Sequence, residues 1–143
     1  MNKQEFLGAS LHTGLYVGQH RCGKIEPYPL YGMKHVRNVD KISCYIDDKE
    51  HGDYQNSWID GVTPILRPLS AITKPITHNG ETFVPIDMFT PSDAVDIKMA
   101  STNCELIKFL SFYIIEQLIE WHFNLMDKSE PFIPVTSEFN PYK

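Results

Sequence analysis

Ten prolines are scattered singly through this chain of 143 residues. Proline fixes its own φ, has no amide hydrogen to donate, and biases the residue before it toward extended backbone. This distribution is typical of short strands and turns, and the chain contains no internal repeat or biased tract. The length and the ordinary apolar (42%) and charged (22%) fractions predict that residues 1–143 form a single domain.

The strongest local signal is the dipeptide Asn79-Gly80, which stands between the β-prone runs 76–78 and 81–84. A two-residue type I′ turn requires a positive φ at both central positions, and Asn and Gly tolerate that conformation best. The sequence therefore predicts a β-hairpin centred on Asn79 and Gly80.

Other segments are assigned more coarsely. Extended structure is predicted at 14–17, 24–25, 36–47 and 58–66, and short helical segments at 2–10 and 69–73. Pro27 and Pro29 predict an edge strand or a loop around them, since neither residue has a backbone N–H to donate to a neighbouring strand. The polar segments 47–57 and 90–101 are predicted to be an exposed loop and an irregular connection.

A long C-terminal helix is predicted from Thr102 to about Met126. Thr102 and Glu105 fit a capping box, and the apolar residues that follow are spaced by three or four; these are Ile107, Leu110, Ile114, Leu118, Trp121 and Leu125. The fold class predicted is therefore α+β: an antiparallel sheet of about five strands, one long C-terminal helix packed on it, and an extended C-terminal tail.

The predicted helix carries more apolar residues than one sheet face covers. Phe112, Ile115, Ile119 and Met126 lie beyond its main stripe. Either the tail covers these four side chains or a second copy of the chain does, and we favour a homodimer with the four near the contact.

Composition excludes several classes of function. The net charge of −5 argues against a nucleic-acid binder, which needs a concentrated basic surface. The longest apolar run, about ten residues, is half of what a membrane span needs. Cys22, Cys44 and Cys104 form no metal-binding or redox pair, and the acidic run 47–53 lacks EF-hand spacing, so neither a metal nor a cofactor is predicted.

No catalytic motif is present: the chain lacks a nucleophile elbow, a phosphate-binding loop and a dinucleotide fingerprint. His20 and Cys22 form a possible thiol–base pair, although such a pair needs a third, orienting group. His122 is interpreted as a partly buried histidine whose ring nitrogen is satisfied.

Binding residues are predicted among the aromatic and cationic side chains. Tyrosines and cations cluster in the N-terminal half, and Tyr16, Arg21 and Tyr45 are taken from this set because tyrosine offers a large contact area at low entropic cost. Arg67 lies between Pro64 and Pro68, and it is predicted to pair internally with a carboxylate, Glu120 or Asp87, or else to face an anionic ligand.

Three segments, 1–11, 62–73 and 118–123, resemble a group of small uncharacterised proteins from bacteriophages and prophages of gut bacteria. The resemblance implies a phage or mobile-element gene expressed in the bacterial host cytoplasm, and it assigns no functional residue. We expect a non-enzymatic accessory protein that binds a host protein or a small ligand. The alternatives are a small hydrolase-like enzyme with an unrecognised site and a virion or assembly component.

Overall fold

A six-stranded mixed sheet organises the computed structural model, which describes residues 1–21, 24–48 and 53–143. Its strands are β1 (Tyr16–Arg21), β2 (Lys24–Val36), β3 (Lys41–Asp48), β4 (Asp53–Trp58), β5 (Thr63–Leu66) and β8 (Ile133–Pro134). They lie in the order β4-β3-β2-β1-β5-β8, and the β5–β8 pair is parallel while the other pairs are antiparallel. Strands β6 (Ile76–His78) and β7 (Glu81–Phe83) form a separate hairpin.

The described residues also form three short α-helices: α1 (Lys3–Ala9), α2 (Pro91–Thr102) and α3 (Phe112–Glu120). Within the described ranges, no helix is long and apolar enough to cross a membrane. The α+β composition matches the prediction, but a sheet of about five antiparallel strands covered by one long helix is wrong. The sheet has six strands and one parallel pair, and the longest helix has 12 residues.

The predicted helix from Thr102 to Met126 is interrupted twice. Thr102 ends α2 instead of starting a helix, and its hydroxyl donates to the Met99 carbonyl at 3.0 Å. A 3-10 segment, Cys104–Phe109, follows, and α3 begins only after Ser111, whose side chain accepts from the Ile114 amide. The apolar spacing is explained by a shared core, because Ile107, Leu110, Ile114, Leu118 and Leu125 are all buried although they belong to separate segments.

The predicted irregular connection at 90–101 is helix α2. The Thr90 side chain accepts from the Asp93 amide and Pro91 occupies the first helical turn, which together form a regular helix start. Only Ile97 and Ala100 of this helix are buried, so it has no continuous apolar stripe. Because the prediction relied on apolar periodicity, it missed a helix that is marked by its cap alone.

Strand β2 is 13 residues long and contains both prolines, around which an edge strand or a loop was predicted. Pro27 and Pro29 pair with Gly18 and Tyr16 of β1, whereas the pairing of β2 with β3 begins only at Leu30. Among the described residues, the prolines therefore lie in the half of β2 that has one neighbouring strand, where a missing amide donor is tolerated.

The predicted acidic loop at 47–57 is mostly strand. β3 extends to Asp48 and β4 begins at Asp53, with Asp48 opposite Asp53 and Ser43 opposite Trp58. Residues 49–52 of the predicted loop lie outside the described residues. Cross-strand pairing, rather than a local apolar pattern, gives this polar segment its structure.

The hairpin at Asn79 and Gly80 is present as predicted, with φ of 50° and 84° at the two turn residues. We expect Gly80→Val to lower the free energy of unfolding by more than about 1 kcal/mol, because a β-branched residue adopts a positive φ at high cost. Urea denaturation measures the change. The matched control is Gly8→Ala in α1, where a Cβ meets nothing within 4 Å and a small stabilisation is expected. A Gly80→Val variant as stable as the parent contradicts the turn assignment.

Candidate functional site

A buried polar cluster joins β5, the β6–β7 hairpin, the end of α3 and the C-terminal residues. It consists of Arg67, His78, His122 and Tyr142, each no more than 8% exposed, and we refer to it as the Arg67 cluster. The Arg67 guanidinium donates to the Trp121 carbonyl at 2.5 Å and to the Thr77 carbonyl at 2.8 Å. Arg67 thereby connects the end of α3 to strand β6.

The predicted pairing of Arg67 with Glu120 or Asp87 is wrong, because both hydrogen bonds of its guanidinium go to backbone carbonyls. Glu120 and Asp87 are exposed. Burial lowers the pKa of Arg67 to about 10, which still leaves the group charged at neutral pH. The charge therefore serves as a strong donor to carbonyls inside the protein rather than as a partner for a carboxylate.

Tyr142 is the residue around which the cluster is arranged. Its hydroxyl donates to the Ile65 carbonyl at 2.6 Å and accepts from the Tyr16 amide at 3.0 Å. Its ring stacks on His122 with centroids 3.9 Å apart, and the Arg67 guanidinium lies 5.3 Å from the ring centroid. Sequence reasoning missed Tyr142, because a tyrosine near the end of a proline-bearing tail carries no signal of burial.

Two neutral histidines complete the cluster. His122 lies at φ 58°, and its Nε2 is 2.9 Å from the Thr13 carbonyl, so that nitrogen is the one that carries the hydrogen. Burial, together with the nearby His78 and Arg67, lowers the pKa of His122 to about 3. The pKa of His78 is also lowered, first by burial and then by Arg67. The prediction for His122 is confirmed at Nε2, whereas its buried Nδ1 has no hydrogen-bond partner.

A cleft of about 680 Å³ opens beside the cluster, and we name it the hairpin cleft. It is lined by His78, Asn79, Glu81, Thr82, Phe83, Met88 and Trp121. Phe83 and Trp121 form an aromatic wall with ring centroids 5.1 Å apart. The Nδ1 atom of His78 is buried without a partner, and Glu81 is the one carboxylate among these lining residues. The cleft combines apolar walls with a few polar groups, as small-molecule sites do.

The structure brings two of the four predicted binding residues together. Tyr16 and Arg67 meet through Tyr142, with the Tyr16 and Tyr142 ring centroids 5.6 Å apart. Tyr45 lies elsewhere, on β3, and lines a depression of about 450 Å³ on the face of strands β2 to β4. Arg21 ends β1, and its side chain is outside the described part of the chain.

The possible thiol–base pair and the acidic run fall largely outside the residues that the structure describes. Cys22 and the side chain of His20 are outside the described residues, as are the side chains of the acidic run 47–53. Among the residues that the structure describes, no group of three or more His, Cys, Asp or Glu side chains is placed to hold a metal ion.

Comparison with known proteins gives no relative for this chain: no protein-family model, no curated protein and no solved structure matches it. The site geometry and the sequence are therefore the basis for assigning a function.

Proposed function

We propose that this chain is a non-enzymatic accessory protein of a phage or another mobile element, and that it acts in the bacterial host cytoplasm by binding a small ligand in the hairpin cleft. The resemblance of three sequence segments to phage and prophage proteins supports the origin. The observation that carries the binding proposal is the cleft itself, which is lined by the rings of Phe83 and Trp121 together with a single carboxylate, Glu81.

The lining of the hairpin cleft favours a cationic ligand with an apolar body. Glu81 supplies a negative charge, and Phe83 and Trp121 line the same cleft with aromatic rings, a side-chain type that attracts cations. His78 adds no positive charge at neutral pH, because its pKa is lowered by burial and by Arg67. An amine attached to an aromatic or aliphatic group matches this combination of charges and walls.

Binding of three phenyl compounds of nearly equal size tests the proposal. Phenethylamine is expected to bind, whereas 2-phenylethanol binds more weakly and phenylacetate not measurably, because only the amine carries a positive charge toward Glu81. Isothermal titration calorimetry measures each affinity. We expect Glu81→Gln to weaken phenethylamine binding about tenfold, while Glu105→Gln, an exposed carboxylate outside the cleft, leaves it unchanged.

Two results overturn this assignment. One is the absence of phenethylamine binding at millimolar concentration to a correctly folded protein. The other is equal binding of the amine and the carboxylate, since a site selected by Glu81 discriminates against negative charge.

A second copy of the chain is the protein partner that we propose. Phe109, Phe112 and Tyr113 are 74%, 75% and 61% exposed, and all three lie within five consecutive residues. Aromatic side chains this exposed are typical of an interaction surface, and a two-fold axis places the same surface of both copies in contact. The expected contact at Ile119 and Met126 is wrong, because both residues are at most 5% exposed within the chain.

Sedimentation velocity tests the dimer. We expect the mass to increase with concentration in the micromolar range, and Phe112→Asp to hold the protein as a monomer, because two charges at a two-fold contact repel. Val39→Asp is the matched control, since Val39 is half-exposed in the β2–β3 turn. A parent protein that is monomeric at every concentration contradicts the proposal.

A further inference from the structure

We propose that the open face of strands β2 to β4 is a nucleotide-binding site, distinct from the hairpin cleft. The face, which we name the sheet face, presents Lys34 and Val36 from β2, Lys41, Ser43 and Tyr45 from β3, and Asn56 and Trp58 from β4. Its central depression has a volume of about 450 Å³, within the usual range for a small-molecule site.

The strand register places a cation and an aromatic ring on opposite sides of this depression. Lys34, Ser43 and Trp58 form one cross-strand row, since Lys34 pairs with Ser43 and Ser43 pairs with Trp58. Neighbouring strands lie about 4.8 Å apart, so the backbones at Lys34 and Trp58 are separated by about 10 Å. The register therefore places the lysine and the tryptophan on the two strands that flank Ser43, with the depression between them.

The next row supplies a floor for a planar ring. Gly32, Tyr45 and Asn56 are paired across the same three strands, and Gly32 contributes no side chain beside the Tyr45 ring. Tyr45 is half-buried and Trp58 is 43% exposed, so one ring is held by its surroundings while the other remains accessible. Aromatic side chains on an open sheet provide stacking surfaces for bases, and Asn56 offers both a donor and an acceptor to a base edge.

The described charged side chains on this face are lysines, although the chain as a whole is acidic. Lys34 and Lys41 lie on the face, the Lys41 ammonium is 5.6 Å from the Trp58 ring centroid, and Arg37 is in the adjoining turn. The carboxylate of that turn belongs to Asp40, and its Oδ1 is hydrogen-bonded to Nε2 of His35 at 2.7 Å. None of the described side chains that line the depression is a carboxylate.

This local charge is compatible with the net charge of −5, which argues against a long nucleic-acid footprint. A single phosphate is bound by charge-assisted hydrogen bonds and a base by stacking, and the sheet face offers lysines and aromatic rings for these two interactions. The combination of rings and lysines therefore selects a ligand that carries a planar ring and a phosphate. A free nucleotide and one residue of a single strand share that chemistry.

Titration calorimetry with four probes tests the inference: AMP, adenosine, inorganic phosphate and pentathymidylate. We expect AMP to bind more tightly than adenosine or phosphate, because only AMP engages both the rings and the lysines. Affinity for pentathymidylate well above that for AMP, decreasing with salt, identifies a single strand as the source of the nucleotide. Equal or weaker binding of the oligonucleotide identifies a free nucleotide.

Variants assign the interaction to the sheet face. We expect Lys34→Met and Trp58→Ala each to weaken AMP binding about fivefold or more. Two control variants are expected to leave AMP binding unchanged: Lys98→Met, at an exposed position on α2, and Glu81→Gln, in the hairpin cleft. The second control shows whether the nucleotide site is independent of the proposed amine site in the cleft. Because Lys34 is exposed, Lys34→Met is expected to retain the fold, as circular dichroism checks. No AMP binding at millimolar concentration overturns the inference, and so does phosphate binding as tight as AMP binding.

Discussion

Replacing Arg67 with alanine is expected to lower the free energy of unfolding by about 3 kcal/mol or more. The substitution removes two hydrogen bonds from a charged donor and leaves the Trp121 carbonyl buried without that donor. It also opens space against the Tyr142 ring, 5.3 Å from the guanidinium. Urea denaturation followed by circular dichroism measures the change, and the curve is expected to shift to lower urea with a similar slope.

Two further variants separate the causes of this loss. Arg67→Met retains most of the aliphatic volume and removes the donors, so it isolates the contribution of the hydrogen bonds. Arg37→Ala is the control, because Arg37 is exposed and its loss is expected to change stability by less than about 0.5 kcal/mol. An Arg67→Ala protein as stable as the Arg37→Ala protein shows that the Arg67 cluster does not hold the fold together.

Acidification is expected to destabilise the protein before most carboxylates titrate. The pKa of His122 is lowered from 6.5 to about 3 in the folded state, so between these values the unfolded chain binds a proton that the folded protein excludes. The free energy of unfolding therefore decreases as the pH falls below 6.5. Below about pH 3, His122 is protonated in both states and causes no further decrease. His122 alone lowers the free energy of unfolding by about 2 kcal/mol between pH 7 and pH 5.

His78 acts in the same direction, because its pKa is also lowered in the folded state. Urea denaturation at several pH values measures the combined slope. His122→Asn is the discriminating variant, since asparagine tolerates the positive φ at this position and does not titrate. We expect its stability to depend less on pH than that of the parent over the same interval. An unchanged pH dependence in His122→Asn contradicts the assignment to this ring.

Local signals predicted the elements that depend on few residues. The hairpin at Asn79 and Gly80 follows from backbone conformations that these two residues accept, and the short helix α1 has an asparagine cap, Asn2, whose side chain accepts from the Glu5 amide. The interrupted helix was mispredicted because Thr102 and Glu105 were interpreted as its capping box and the apolar spacing as one continuous helix. Asn103 and Ser111 both accept from amides two or three residues ahead, and these caps mark the starts of separate segments.

The candidate sites were only partly visible in the sequence. Tyr16, Arg67 and Tyr45 are all placed at or beside polar clusters, but chain order does not show that Tyr16 and Arg67 share Tyr142 as a neighbour. The hairpin cleft was missed because His78, Trp121 and Met88 are brought together by packing across separate elements. No residue spacing in the sequence reports such an arrangement.

The sequence by itself determined the α+β composition and the type I′ hairpin, because both depend on local backbone preference. The tertiary structure alone decided the strand order, the parallel β5–β8 pair and the residues that line the hairpin cleft and the sheet face. Those features depend on contacts between residues as far apart as Tyr16 and Tyr142, 126 positions along the chain. Such contacts form because buried polar groups require hydrogen-bond partners and apolar surfaces are removed from water. Many segments of a chain can satisfy these two requirements, so the residue sequence does not indicate which ones do.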